Sequence, residues 1–455
     1  MDPRIITCLV LLTLVIPRFL NTARAQIHDI NSLISGIASP QRNLNREQRA
    51  TEVPGEVISQ TEKSDGVGFS DSAVGFTAFS SYETNGFNSA MLLMIQDLLG
   101  PKEVLLEYFP SDTLISIIAT TRESAVICTS RIYPGLWETA SLFLRRLRLA
   151  DFGDFSKQSE ALSEVLLGPV SMVLKGKSRV VIIAHDALYG LPFEALMYPV
   201  NGSLSACCRP RYLIEGREIV YNNSVTQWLT SRLRNRFRSR GASLDHQLAF
   251  VGFSPGFRFH ECVQVLDQAD HELSTIGKMF REKGKCPVIL KNENSNENNF
   301  KSIARFTRIL HIATHTVNSE GCPGMTGLLF HEFGSCSIGN TTDDGLLALQ
   351  EICELQIPAD LIVLNACASA NIGGRIGMNW FSFADCFMKA GAGNVLCTRW
   401  NVTDRLAERF MVEFYRLYLS GMSFSKALQQ VKIRMITEQS LSLPVNWAAY
   451  VLLGD

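Results

Sequence analysis

Two segments carry side chains able to do covalent chemistry. Ile309-Leu310-His311-Ile312-Ala313-Thr314-His315 ends on an imidazole, and Leu361-Ile362-Val363-Leu364-Asn365-Ala366-Cys367 ends on a thiol. A thiolate attacks carbonyl carbon, and a neighbouring histidine takes the thiol proton and later returns it to the leaving group. His315 and Cys367 together therefore point to acyl transfer through a dyad. A zinc site is rejected. His311 and His315 are four apart, but the helical zinc-peptidase pattern needs a glutamate after the first histidine, and Ile312 stands there. No Cys-x-x-Cys pair or spaced Cys/His set suggests another metal, and no cofactor is expected.

The elements that must position these groups are readable around them. Both runs are short, apolar and rich in β-branched residues, which fits adjacent buried parallel strands. In an open α/β sheet the reactive crevice lies past the carboxyl ends of the strands, where His315 and Cys367 would both sit. Asn365 and Ala366 set the strand end, with Asn365 placed to orient the loop. Taken alone, an inert buried cysteine and a hydrogen-bonded rim histidine would give the same pattern.

Strand and helix signals alternate through this half. Strands are expected at 248–253 and 394–398, and a helix at 267–282. His271-Glu272 reads as the exposed side of that helix. Thr403-Asp404 can cap a helix running to Ser420, with Gly421 as the stop. Phe410, Phe414, Leu417 and Tyr418 form its apolar face. A last strand-like run, 447–453, should pack into the sheet. Alternation of this kind implies right-handed crossovers and a parallel sheet. Upstream, runs at 104–108, 114–120 and 125–128 suggest antiparallel hairpins. Helices are expected from Trp137 to about Ala150 and from Lys157 to Leu174, then a buried strand at 179–184. His185-Asp186 reads as a pair of turn residues.

The ordered set of motifs resembles a known family. It comprises HIATH, LIVLNAC, Phe383-Ala384-Asp385-Cys386-Phe387-Met388-Lys389-Ala390-Gly391-Ala392-Gly393, Trp400-Asn401-Val402-Thr403-Asp404, Phe414-Tyr415 and Trp447-Ala448-Ala449-Tyr450-Val451-Leu452-Leu453-Gly454-Asp455. Upstream come the run 180–184 and Leu191-Pro192-Phe193-Glu194-Ala195-Leu196. Over roughly residues 88–455 this looks like a CHAT domain, a relative of the caspase- and separase-like cysteine peptidases. The resemblance implies an α/β fold: a caspase-like three-layer sandwich with a mostly parallel sheet, preceded by a degenerate caspase-like lobe. The degenerate lobe would occupy 88–245 and the catalytic lobe 246–455. It assigns catalysis to His315 and Cys367, and the backbone N–H groups of Thr316 and Cys367 are the candidates for the oxyanion hole. The implied activity is a cysteine endopeptidase that cleaves protein or peptide substrates through an acyl-enzyme, with P1 unspecified. Asp360 and Asp404 are candidates to orient His315 or to bind a basic P1 residue.

Two departures from the family pattern support an alternative. Thr316 stands where a glycine usually follows the histidine. Gly377-Met378-Asn379-Trp380 lacks the usual acidic residue. The alternative is a catalytically weak CHAT module acting as a protein-binding or regulatory domain. An activator or partner protein is left open.

The N-terminus has the layout of a secretory signal peptide: Met1-Asp2-Pro3-Arg4, an apolar run at 5–16, Pro17, then Ala23-Arg24-Ala25. Cleavage is expected after Ala25, giving a secreted or periplasmic protein. The run is short for a membrane span, no second run of spanning length follows, and no stable membrane span is expected. Residues 26–87 are polar and read as an arm or linker. Cleavage would remove one acid and three arginines, taking the formal charge from −1 to −3. That balance suggests neither a nucleic acid nor an anionic membrane as partner.

Of 12 cysteines, Cys8 would leave with the signal. In an exported chain some of the rest should pair. Cys322–Cys336 is one candidate pair and Cys207 or Cys208 with Cys262 another, while Cys386 and Cys397 read as core thiols. Asn201, Asn222, Asn340 and Asn401 begin Asn-x-Ser/Thr sequons. Asn401, beside an expected core strand, reads as the least suited to carry a glycan.

Overall fold

Apolar runs that are buried on both faces need cover on both sides, and here they assemble into one long sheet. The computed structural model describes residues 76–78, 86–149, 155–197, 211–241, 248–257, 266–317, 326–331, 344–365 and 378–454. The expected signal peptide lies outside the described residues, as do Cys367, Gly377, Asn201 and Asn340. So do Cys207, Cys208, Cys262, Cys322 and Cys336.

The strands are β1 (Phe76–Ala78), β2 (Glu103–Pro110), β3 (Leu114–Thr121), β4 (Ala125–Arg131), β5 (Arg179–Ala184) and β6 (Glu218–Tyr221) in the first half. The second half supplies β7 (Val251–Ser254), β8 (Val288–Lys291), β9 (Ile309–Ile312), β10 (Thr316–Val317), β11 (Gly327–Leu329), β12 (Leu346–Ala348), β13 (Leu361–Leu364), β14 (Asn394–Thr398) and β15 (Tyr450–Gly454). Twelve of them form one sheet in the order β1-β4-β3-β2-β5-β6-β15-β14-β13-β9-β7-β8, and β10-β11-β12 form a small second sheet. The hairpins β2–β3–β4 are antiparallel as expected, and β13 runs parallel to β9 on one side and β14 on the other.

Alternation of side chains along the strands builds the layers. Val104, Leu106 and Val180 face one core, while Leu105, Val181 and Ile183 face another with Ile95, Leu99 and Trp228. The helices Gly86–Leu98 and Val225–Gly241 supply residues to the second core, and Leu136–Leu149 and Phe155–Leu166 supply the first. The result is the expected α/β three-layer arrangement around a mostly parallel sheet. One expected helix is divided. The segment 157–174 becomes Phe155–Leu166 and a short turn Ser171–Leu174, because Pro169 has no N–H to continue the ladder and disfavours helix at Gly168.

β15 joins the two halves. It lies antiparallel to β14 and parallel to β6, so the carboxyl ends of β9 and β13 face the opposite edge from those of β2 and β5. It begins only at Tyr450, because Pro444–Trp447 forms a helical turn with proline in its first position. Gly454 has φ +120°, and a side chain there would collide with Gly393 O. Asn222 Nδ2 donates to Gly454 O at 2.8 Å.

A buried charge cluster spans the same join. Glu194 accepts from Arg399 Nη1 at 2.8 Å, from Lys432 Nζ at 2.9 Å and from the Tyr221 hydroxyl. Burial alone would push the Glu194 carboxyl up. Arg399, Lys432 and Tyr221 outweigh it and hold the group at about 2. Among the described residues no helix is long and apolar enough to cross a membrane.

Candidate active site

The backbone sets the first constraint. Ile312 and Leu364, the last residues of β9 and β13, are direct partners in the parallel register. His315 follows the first by three residues, and Cys367 follows the second by three. The two strand ends are tied by Asn365 N–H donating to Ile312 O at 2.9 Å. Cys367 and Ala366 themselves lie outside the described residues.

His315 is half-buried and held on several sides. Ala313 N–H donates to Phe253 O at 2.9 Å and Leu329 N–H to His315 O at 3.0 Å. The Thr314 hydroxyl donates to Leu329 O. Thr316 opens β10 opposite Leu328, in the position whose N–H the ladder alternation turns away from β11. The Phe257 ring lies 5.5 Å from the His315 ring at 45°. Phe257 holds φ +47°, a left-handed conformation costly for a bulky side chain. The preceding Gly256, at φ +78°, leaves no room for a Cβ against Asn292 Oδ1. Sequence reasoning had no signal for Phe257 beyond the Pro-Gly turn before it.

His311, the first histidine of HIATH, is fully buried. Its Nδ1 lies 3.1 Å from the Tyr415 hydroxyl and its Nε2 lies 2.8 Å from Glu272 Oε1. Asn365 Nδ2 donates to the other oxygen, Glu272 Oε2, at 2.8 Å. Glu272 corrects an expectation. His271 is 71 % exposed, but Glu272 is 1 % exposed. The helix Asp267–Glu282 buries Ala269, Leu273, Ile276 and Phe280, and Glu272 lies three or four residues from the first and third of these. Helical spacing therefore puts its carboxylate on the packed stripe. Burial and the Glu272 carboxylate together push the Tyr415 phenol up.

Beside this group lies a cavity of about 30 Å³, lined by Glu272, Asn365, Ala313, Thr314, Thr398 and Asp404, among others. Asp404 is thus at the right end of the sheet. Asp360 is not: it precedes β13 and pairs with Arg308 at 2.7 Å, at the amino end of the strand. His185 lies at the opposite edge, 3.2 Å from Glu107 Oε1 and stacked on Phe109, with Asp186 at φ +50°. Neither approaches the His315 end.

The cysteines bring a second correction. Cys386 is not a core thiol but is bonded to Cys353, with Cα atoms 4.4 Å apart. The bond joins the helices Leu349–Glu354 and Met378–Ala390, on either side of β13 in sequence. Cys397 is a buried thiol as expected, like Cys128, and Cys286 is exposed. Burial pushes the Cys397 thiol up to about 12, although Arg399 opposes the shift. Among the described sequons, Asn222 is 1 % exposed, whereas Asn401 is exposed in the turn after β14, the reverse of the expected ranking.

The CHAT domain profile matches residues 156–455. Tetratricopeptide repeat protein 28 from Homo sapiens is 29 % identical over 111 residues, 24 % of this chain and 4 % of that protein. The same protein from Mus musculus matches equally, so the match spans a small fraction of these relatives. Among solved structures, the Saccharomyces cerevisiae separase–securin complex aligns with TM-score 0.50 at 11 % identity, covering 80 % of this chain and 30 % of that one. It supports a shared caspase-like fold alone. The Arg-specific cysteine proteinase gingipain R aligns over 64 % of this chain and 68 % of its own, at 12 % identity, with a looser TM-score of 0.42.

Proposed function

The chain belongs to the CHAT domain family, and from that premise we propose that it is a secreted cysteine endopeptidase working through Cys367 and His315. One observation carries the reading: the base and the nucleophile each follow a directly paired strand end by the same three residues. In an open α/β sheet the reactive crevice lies past the carboxyl ends of the strands, and both positions follow such ends in sequence.

In the proposed cycle His315 takes the Cys367 proton as the sulfur attacks a peptide carbonyl carbon. The N–H groups of Thr316 and Cys367 donate to the oxyanion. His315 then protonates the leaving amine as the C–N bond breaks. Water, giving a proton to His315, hydrolyses the thioester and frees the thiol. Export is supported by the signal-like N-terminus and by the Cys353–Cys386 bond, since such bonds persist chiefly in oxidising compartments.

A binding module without catalysis is the second reading. It is favoured by Thr316, whose β-branched side chain restricts the backbone where the family usually has glycine. The test is intact-mass and peptide-map analysis after exposure to acyloxymethyl ketone peptides differing at P1. Wild type is compared with Cys367→Ala and His315→Ala. Labelling of Cys367 that collapses in His315→Ala supports the peptidase. Folded protein that resists the whole panel gives the binding module the lead.

A further inference from the structure

A carboxylate removed from water is costly unless its oxygens find partners. Glu272 is 1 % exposed, and one of its oxygens takes a hydrogen bond from the end of the strand that leads to Cys367. That oxygen receives Asn365 Nδ2 at 2.8 Å, two residues before Cys367, while the other lies 2.8 Å from His311 Nε2, four residues before His315, in an ion-pair contact without hydrogen-bond geometry. The Tyr415 hydroxyl closes the far side of His311 at 3.1 Å. An apolar residue would fill this place on the helix more cheaply if packing were its whole task.

We propose that Glu272 is a positioning residue that braces the Cys367-bearing segment through Asn365, against the buried His311–Tyr415 pair. This rests on the dyad reading above. The brace acts on geometry: it fixes the side chain of Asn365 at the end of β13, two residues before Cys367. His311 then serves as the fixed wall of the brace and takes no part in proton transfer.

The hydrogen bond can be reversed in sense, which gives a test that packing alone would not pass. Asn365→Asp sets a carboxylate against a carboxylate. Adding Glu272→Gln restores an amide–carboxylate pair with donor and acceptor exchanged, the new amide N–H₂ donating to Asp. The measurement is the second-order rate of Cys367 labelling by the peptide ketone that reacts best with wild type, with the melting temperature of each variant alongside. Asn365→Asp is expected to slow labelling at least ten-fold, and the double variant to recover most of that loss. Asn365→Asp should also lower the melting temperature, so all rates are compared at a temperature where every variant is fully folded, and the brace predicts slowed labelling in protein that is folded there.

A wild-type rate in Asn365→Asp overturns the brace while leaving the dyad standing. So does a double variant as slow as the single. Should Asn365→Asp fail to fold, Asn365→Ala removes the bond without repulsion, and labelling at the wild-type rate there overturns the brace equally. Labelling indifferent to His315→Ala overturns the dyad, and the brace with it.

Discussion

The double substitution Cys353→Ala/Cys386→Ala removes the one covalent tie across the site-bearing region among the described residues. The bond spans 33 residues of sequence, which include β13 and the Cys367 segment. In the chain-entropy account, closing a loop of that length in the unfolded chain contributes about 4 kcal/mol to stability. Spread over the unit Ser72–Asp455, with an unfolding entropy of about 2.1 cal/mol/K per residue, that corresponds to a fall of about 5 °C in melting temperature. Thermal and urea unfolding of wild type and double variant, both without reductant, read the effect. The urea slope is the second arm. A chain freed from its cross-link exposes more surface when unfolded, so the slope should rise. A melting temperature within about 1 °C of wild type would refute the reasoning, because a loop of this length cannot be so nearly neutral on the entropic account. A large loss with unchanged slope would also refute it, placing the effect in native packing instead.

Other outcomes follow from the buried groups. Glu194→Gln leaves Arg399 and Lys432 short of a buried countercharge and should cost about 3–5 kcal/mol at pH 7, measured by urea unfolding. Because Glu194 is held at about 2, below its ordinary 4.5, its contribution is complete above about pH 4.5. It is lost as the pH falls toward 2, so the gap between wild type and variant should narrow over that window. Iodoacetamide at pH 8 should modify exposed Cys286 in the folded protein and spare Cys128 and Cys397, the latter pushed up to about 12 by burial. Peptide mapping before and after unfolding checks this. Expressed through a glycosylating secretory route, the chain should carry a glycan at Asn401 that Asn401→Gln removes. Asn222 should stay unmodified, its amide being spent on Gly454 O; glycosidase mass shifts decide.

Much of this architecture is legible in local sequence. The runs ending near His315 and Cys367 are short, almost wholly apolar and rich in β-branched residues, a pattern that suits a parallel strand covered on both faces. The turn residues between β2, β3 and β4 announce hairpins. The expected helix 157–174 runs through Pro169, although a proline there cannot continue the helical ladder and marks the break. Glu272 was not legible, because charge ordinarily marks the wet side of a helix, and only its spacing from Ala269 and Ile276 betrayed the packed side. The Cys353–Cys386 bond was hidden because pairing depends on where two helices meet, which cysteine spacing does not encode. The place of β15 was hidden for the same reason: its apolar residues announce a buried strand but not which strands flank it.

That last strand has a consequence for how the molecule is made. Its Leu453 pairs with Tyr221 on one side and Val395 on the other. Until residues 450–454 have left the ribosome, β6 and β14 each present an open row of backbone donors and acceptors. The first half must wait for more than two hundred further residues before its edge is closed, the kind of distant pairing that slows folding. A chain stalled or clipped just before Tyr450 would hold two nearly finished half-sheets with matching sticky edges. In a second copy it would find the partner that its own last strand was meant to be.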